Sequence, residues 1–334
     1  MRRFAATALI LLLAACAGSS VVQEPWRGTA DGWTAVNAGV RPVGLGLPGG
    51  VRLAPGVRFA GGLEILAPRG DRMHGLSDLK LAGDDVVAVT DAGDLVRARI
   101  LLDRRGRLAG LTGLRLRGLT GEDGRAFPTK SDGDAESLAI TADGDLIVGF
   151  EQRPRLWSYG PLDRITPRPS ARAAPPVPPG NEGLEALASG PDGLRAAGEG
   201  GGVWDCVVAR CVEVAAPPET SPAGSDWRVT GLDRDRAGDG WFVVERLYRE
   251  PFDMRARLRR MDASGRPGPV LVSLSLPSTT DNFEGVAAVE GASGTRLYIV
   301  SDDNDNPRQR TLILAFDVDA PAAGADGDPV RPFR

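Results

Sequence analysis

The feature that most restricts this chain is a unit that recurs five times. Each copy has a small residue and an aliphatic, a short strand-like run, a Gly/Asp turn, a second apolar run and a closing polar or acidic residue. The copies are His74-Gly-Leu-Ser-Asp-Leu with Val86-Val-Ala-Val-Thr-Asp91, Glu136-Ser-Leu-Ala-Ile with Leu146-Ile-Val-Gly-Phe-Glu151, and Glu182-Gly-Leu-Glu-Ala-Leu with Leu194-Arg-Ala-Ala-Gly-Glu199. Thr230-Gly-Leu-Asp with Trp241-Phe-Val-Val-Glu245, and Glu284-Gly-Val-Ala-Ala-Val with Leu297-Tyr-Ile-Val-Ser-Asp302, complete the set. Their starts are 62, 46, 48 and 54 residues apart, close to the ~40 to 50 residues of a four-stranded propeller blade. Long amphipathic helical stretches are missing, while turn dipeptides such as Asp143-Gly144, Asp192-Gly193 and Asp239-Gly240 separate the β-branched runs, as hairpins require. The expected fold is all-β: a β-propeller of five or six blades of antiparallel strands. A sixth blade would come from less regular sequence, or from pairing residues 311–318 with 57–66, a closure that removes open sheet edges. A β-sandwich followed by a second β domain is the rival, and the even spread of the repeat argues against it.

If the two runs of each unit form a hairpin, the start of the first and the end of the second lie at one edge of the sheet. That edge gathers Glu136, Glu182 and Glu284 at strand starts, and Asp91, Glu151, Glu199, Glu245 and Asp302 at strand ends. A single acid beside a turn is explained by a bond to a backbone N–H or to an arginine. So many around one axis repel one another unless protons, arginines or a hard cation neutralise them, and oxygen-only surroundings favour Ca²⁺ or Mg²⁺. Calcium is the expected cofactor, with ligands drawn from Glu136, Glu182, Glu284, Asp302 and Asp303. Glu284, Arg246 and Arg310 are the candidate catalytic groups. The arginines would stabilise charge on an anionic substrate through paired hydrogen bonds. Arg257 and Arg259, by contrast, read as structural ion pairs.

Other chemistries are poorly supplied. His74 is the sole histidine, so multi-histidine metal sites are excluded, and no Gly-x-Ser-x-Gly nucleophile elbow is present. Lys80 and Lys130 are the only lysines, leaving almost no candidate for Schiff-base chemistry or a phosphate-loop lysine. Residues 302–306 look like the start of a calcium loop, but Pro307 stands where the turn glycine should follow and Ile313 where a glutamate should close it. With 40 basic against 44 acidic residues the chain is slightly acidic, which disfavours a nucleic-acid partner.

The N-terminus carries Arg2 and Arg3, an apolar run over residues 4–15, and Leu13-Ala14-Ala15-Cys16. This resembles the lipobox of bacterial lipoproteins, which implies a signal peptide over residues 1–15, lipidation of Cys16, and attachment to the cell envelope, on the periplasmic side of the outer membrane. Export permits oxidation, and the spacing of Cys206 and Cys211 suits a disulfide across a tight hairpin. Residues 16–56 read as a lipidated start and tether, 57–318 as the propeller, 167–180 as a long surface loop and 319–334 as a tail. A monomer is expected, touching the membrane through its lipid alone.

Several segments together carry a family resemblance. Arg58-Phe-Ala-Gly-Gly-Leu-Glu64, His74-Gly-Leu-Ser-Asp-Leu79, Asn181-Glu-Gly-Leu-Glu185, Val244-Glu-Arg246, Asp281-Asn-Phe-Glu-Gly-Val286 and Ser301-Asp-Asp-Asn304 with Gln309-Arg-Thr311 look like the "esterase-like activity of phytase" family of exported bacterial proteins. The resemblance implies a propeller-like domain related in name to calcium-dependent phytases, acting on phosphoric or carboxylic esters, here a small anionic ester. Two other readings share the same acidic centre: a non-catalytic propeller that binds an envelope ligand or protein, and a metal-dependent lactonase.

Overall fold

A computed structural model describes residues 32–320, apart from 69–70, 179–182, 220–225, 250–252 and 293. Five antiparallel sheets follow one another along the chain, and the inner strands of neighbouring sheets touch in a closed ring that joins the fifth sheet to the first. This is a five-bladed β-propeller. The inner strands of blades 1 to 5 are Leu76–Ala82, Ala135–Ile140, Leu184–Ser189, Arg228–Arg234 and Asn282–Gly291. Each pairs with the next strand in the chain: Asp85–Thr90, Asp145–Phe150, Leu194–Gly198, Trp241–Arg249 and Gly294–Asp302.

Alternation along these strands builds the core. Side chains two apart share a face, so Leu146 and Val148 pack towards blade 1 while Ile147 between them packs towards blade 3. Repeated in every blade, this produces five apolar layers, one in each gap between neighbouring blades. Five layers for five gaps leave no blade with an unsatisfied inner face.

The ring closes by the expected pairing of the chain ends, within the fifth blade and not as a sixth. Val57–Leu66 pairs with Thr311–Asp319, but the two strands are the fourth and third of blade 5, whose inner pair comes from the C-terminal repeat. The closure therefore completes the fifth blade, and no sixth is found among the described residues. Part of the stretch expected as a tether also enters the sheets. Thr34–Ala35 joins the outer edge of blade 1, Gly39–Pro42 that of blade 5 and Val51–Leu53 that of blade 4, covering backbone that an open edge would expose. Within the expected loop at 167–180, Ser170–Arg172 supplies the outer strand of blade 2. Cys206 and Cys211 face each other across the outer hairpin of blade 3 and are joined by a disulfide. Cys16 and the final tail beyond residue 320 lie outside the described residues.

Candidate active site: a carboxylate mouth ordered by five equivalent bulges

Every inner strand carries a β-bulge at the same place. The pairing with the second strand skips Ser77, Glu136, Glu185, Thr230 and Glu284 in blades 1 to 5. A bulge inserts one residue and re-aims its side chain. Glu136, Glu185 and Glu284 line the mouth of the propeller, whereas the hydroxyl of Ser77 donates to the Gly75 carbonyl and that of Thr230 to the Phe283 carbonyl of the next blade. Glycine after the bulge lets adjacent inner strands close up. A Cβ on Gly285 would lie 2.6 Å from Asp78 Cα, and one on Gly231 would lie 2.2 Å from the Glu284 carbonyl oxygen.

A second fivefold set stands opposite. The residues facing the position two before each bulge are Asp91, Glu151, Glu199, Arg246 and Asp302, and all five line the cavity. The positions they face hold Gly75, Asp134, Gly183, Arg228 and Asn282, of which Asp134, Arg228 and Asn282 line it as well. The resulting cavity measures about 950 Å³.

Burial and mutual repulsion dominate its electrostatics. Glu136 and Glu185 are buried, and desolvation followed by neighbouring carboxylates pushes both well above the ordinary glutamate range. Asp302 is pushed up for the same reasons, first burial and then Glu284 and Asp91. Glu284 rises to about 7 because burial outweighs the opposing pull of Arg246. Cations moderate part of this. Arg246 Nη2 lies 2.8 Å from Glu199 Oε1 and its Nη1 3.0 Å from Glu284 Oε1, while Lys130 Nζ lies 2.6 Å from Asp91 Oδ2 and 3.8 Å from Asp134 Oδ1. Lys130 opens the single-turn helix Lys130–Gly133, capped by the Thr129 hydroxyl.

One group suits a cation. One carboxylate oxygen from each of Asp134, Glu136 and Glu151 lies within 4.8 Å of the others, a span that a calcium ion with oxygen ligands at about 2.4 Å can bridge. The donors are all hard oxygens, which suit a hard divalent ion, and burial raises all three above ordinary carboxyl values, so such an ion would compete with protons for them.

Seven of the residues singled out in the sequence meet here: Asp91, Glu136, Glu151, Glu199, Arg246, Glu284 and Asp302. Glu182 lies outside the described residues, and the acid at the equivalent position of blade 3 is Glu185. Asp303 does not line the cavity. Its carboxylate accepts from His74 Nδ1 at 2.9 Å and Thr311 Oγ1 at 2.8 Å. Burial opposes its charge, yet those bonds hold its pKa below the ordinary aspartate value. The contact ties the loop before blade 1 to blade 5. Arg310 also stands behind the cavity wall: its Nε lies 3.5 Å from Asp281 Oδ2, and its Nη2 donates to the Thr280 carbonyl. Glu245 belongs to the other face of its strand, paired with Arg257 and, at 3.5 Å, with Arg259. Arg246, its neighbour, takes the ring position instead.

Asp134, Glu185, Asn282, Arg228 and Lys130 were missed. A signal existed for Glu185: Asp143 follows Glu136 by seven residues and Asp192 follows Glu185 by seven, so counting back from the hairpin turn aligns the repeats correctly. The Glu182-Gly-Leu triplet lies three residues early and mimics the pattern. Nothing comparable marks Asp134, which precedes its strand.

The model of the family described as "Phytase-like: Esterase-like activity of phytase" matches residues 71–305. None of the curated proteins matches the chain. Among solved structures, the chain is similar to a candidate gluconolactonase at 12% identity and TM-score 0.45, over 85% of this chain and 93% of that one. It is similar to the major allergen Mala s 1 of Malassezia sympodialis at 16% identity and TM-score 0.44, over 78% and 90%. The glutaminyl cyclase of Myxococcus xanthus matches at 14% identity and TM-score 0.40, over 73% and 91%.

Proposed function

The chain belongs to the phytase-like family described by esterase-like activity of phytase, and on that premise we propose that its carboxylate mouth is the active site of a divalent-cation-dependent hydrolase of small anionic esters, phosphoric esters first. The observation that carries this reading is the placement of the Asp134, Glu136 and Glu151 carboxylates and the Arg246 guanidinium on the wall of one cavity. Asp134, Glu136 and Glu151 would hold the ion, and Ca²⁺ suits their hard oxygen donors. When bound, such an ion screens a phosphoryl group and lowers the pKa of a coordinated water.

The remaining work falls to the chain itself. Glu185, the bulge residue of blade 3, lines the cavity with Glu151, and a proton shared between the two would orient that carboxylate. Arg246, held between Glu199 and Glu284 with a further bond of 2.6 Å to Asn282 Oδ1, presents a preorganised positive charge where an oxyanion develops. The lipobox-like Leu13-Ala14-Ala15-Cys16 motif and the disulfide support an exported protein, anchored to the envelope through lipid on Cys16. The test is an ester panel assayed after chelation and after Ca²⁺ is restored. Activity lost on chelation, regained with Ca²⁺ and absent in Glu284→Ala supports the proposal. Turnover indifferent to both treatments overturns it.

A further inference from the structure

Blade 4 breaks the fivefold pattern of the mouth in sign. At the second-strand position four blades carry Asp91, Glu151, Glu199 and Asp302, and blade 4 carries Arg246. At the facing position the other blades carry Gly75, Asp134, Gly183 and Asn282, and blade 4 carries Arg228. The two positions are directly paired across the strands, so the guanidiniums rise side by side from one blade. Glu199 of blade 3 holds both: its Oε1 accepts from Arg246 Nη2 at 2.8 Å and its Oε2 from Arg228 Nη1 at 2.9 Å. Arg228 and Arg246 are 16% and 25% exposed in their side chains and line the cavity.

We infer that Arg228 and Arg246 form a two-guanidinium subsite that holds a substrate oxyanion of the phosphate class, apart from the cation-binding carboxylates of blade 2, with Arg228 as a specificity-determining residue. This deepens the proposed hydrolase reading and rests on it. The physical case is positional. Arg246 is shared between Glu199 and Glu284, and Arg228 adds a second guanidinium to the same wall of the cavity. Two arginines side by side offer the fork-shaped donors that bind phosphate bidentately. The carboxylate that bridges them fixes their planes, so little side-chain freedom is lost when the anion arrives. An anion placed there sits across the mouth from the Asp134, Glu136 and Glu151 group, and the field between the two sectors orients an ester whose charge lies at one end.

The experiment measures binding of inorganic phosphate, and separately of Ca²⁺, by calorimetry on wild type, Arg228→Gln, Arg228→Lys and Arg257→Gln. Arg257 pairs with Glu245 away from the cavity and serves as a control. The expected result is that R228Q weakens phosphate about tenfold, R228K recovers only part of the loss, R257Q matches wild type, and no R228 variant binds Ca²⁺ more weakly than wild type. Equal phosphate affinity in wild type and R228Q overturns the inference. So does parallel loss of Ca²⁺ and phosphate binding in R228Q with an unchanged melting temperature, because Arg228 would then act through the carboxylates. Should R228Q fail to fold, R228K decides by the same comparison. Absence of turnover in wild type would remove the hydrolase reading while leaving phosphate binding to be read directly.

Discussion

Lys80 Nζ lies 2.7 Å from Oδ2 of Asp78, two residues away on the inner strand of blade 1, with the side chains 5% and 0% exposed. The ammonium also donates to the Val286 carbonyl of blade 5, and the aspartate accepts the Leu138 N–H of blade 2. One ion pair thus joins three blades where their inner strands converge. Removing one partner strands a buried charge at a cost of about 3–5 kcal/mol, whereas replacing both with apolar residues costs far less. Lys80→Met is expected to lose roughly that much in urea denaturation, and Asp78→Leu with Lys80→Met to regain much of it. A double variant no more stable than the single one would show that the pair is not coupled.

The mouth makes stability depend on pH in a stated direction. Glu284 is raised to about 7, and burial raises Glu136, Glu185 and Asp302 well above their ordinary values. The unfolded chain releases those protons near pH 4 to 4.5, at about the ordinary carboxyl values. Across the window from there to the folded values, the folded state holds more protons, so stability is fully present below the window and falls as pH rises through it. A divalent cation replaces the protons. Calcium is expected to raise the melting temperature more at pH 8 than at pH 5.5, with protons released on binding. A cation effect equal at both pH values contradicts the assignment.

Two acids on different blades, Glu136 in the mouth and Glu245 on the far face of its strand, separate function from stability. Glu136→Gln is expected to weaken Ca²⁺ at least about tenfold and to lower ester hydrolysis with it. Glu245→Gln, which removes the partner of Arg257 and Arg259 on the other face of its strand, is expected to keep hydrolysis near wild type and to cost roughly 1–3 kcal/mol of stability. A fall in activity for E245Q with cation binding intact would place that residue in the mouth after all.

Glycine at the bulge is a packing requirement. Gly285→Ala would drive a Cβ to 2.6 Å from Asp78 Cα, and backbone there cannot yield. Overpacking of this kind costs about 1–3 kcal/mol or more. By comparison, Gly144 sits in a hairpin turn at φ 85° with nothing within 4 Å of an added Cβ, so Gly144→Ala is expected to cost only the ~1–2 kcal/mol of left-handed strain. A Gly285→Ala variant that melts at the wild-type temperature would refute the close approach of blades 5 and 1.

Periodicity and repetition lie in the primary structure itself. Alternating apolar residues, turn dipeptides at regular intervals and five similar units were enough to indicate an all-β propeller and the gathering of Asp91, Glu136, Glu151, Glu199, Glu284 and Asp302 at one mouth, and they left the pairing of residues 57–66 with 311–318 as one of two possible closures. What the tertiary structure decided was register. A bulge adds a single residue to one strand, and in a structure of period two a single residue exchanges the two faces. That exchange sends Glu245 outward while Arg246 turns in. Asp134 enters the cation group from before its strand, and Arg228 meets Arg246 only through pairing across two strands. Such neighbours are set by hydrogen bonding between distant segments, which no local pattern of residues records.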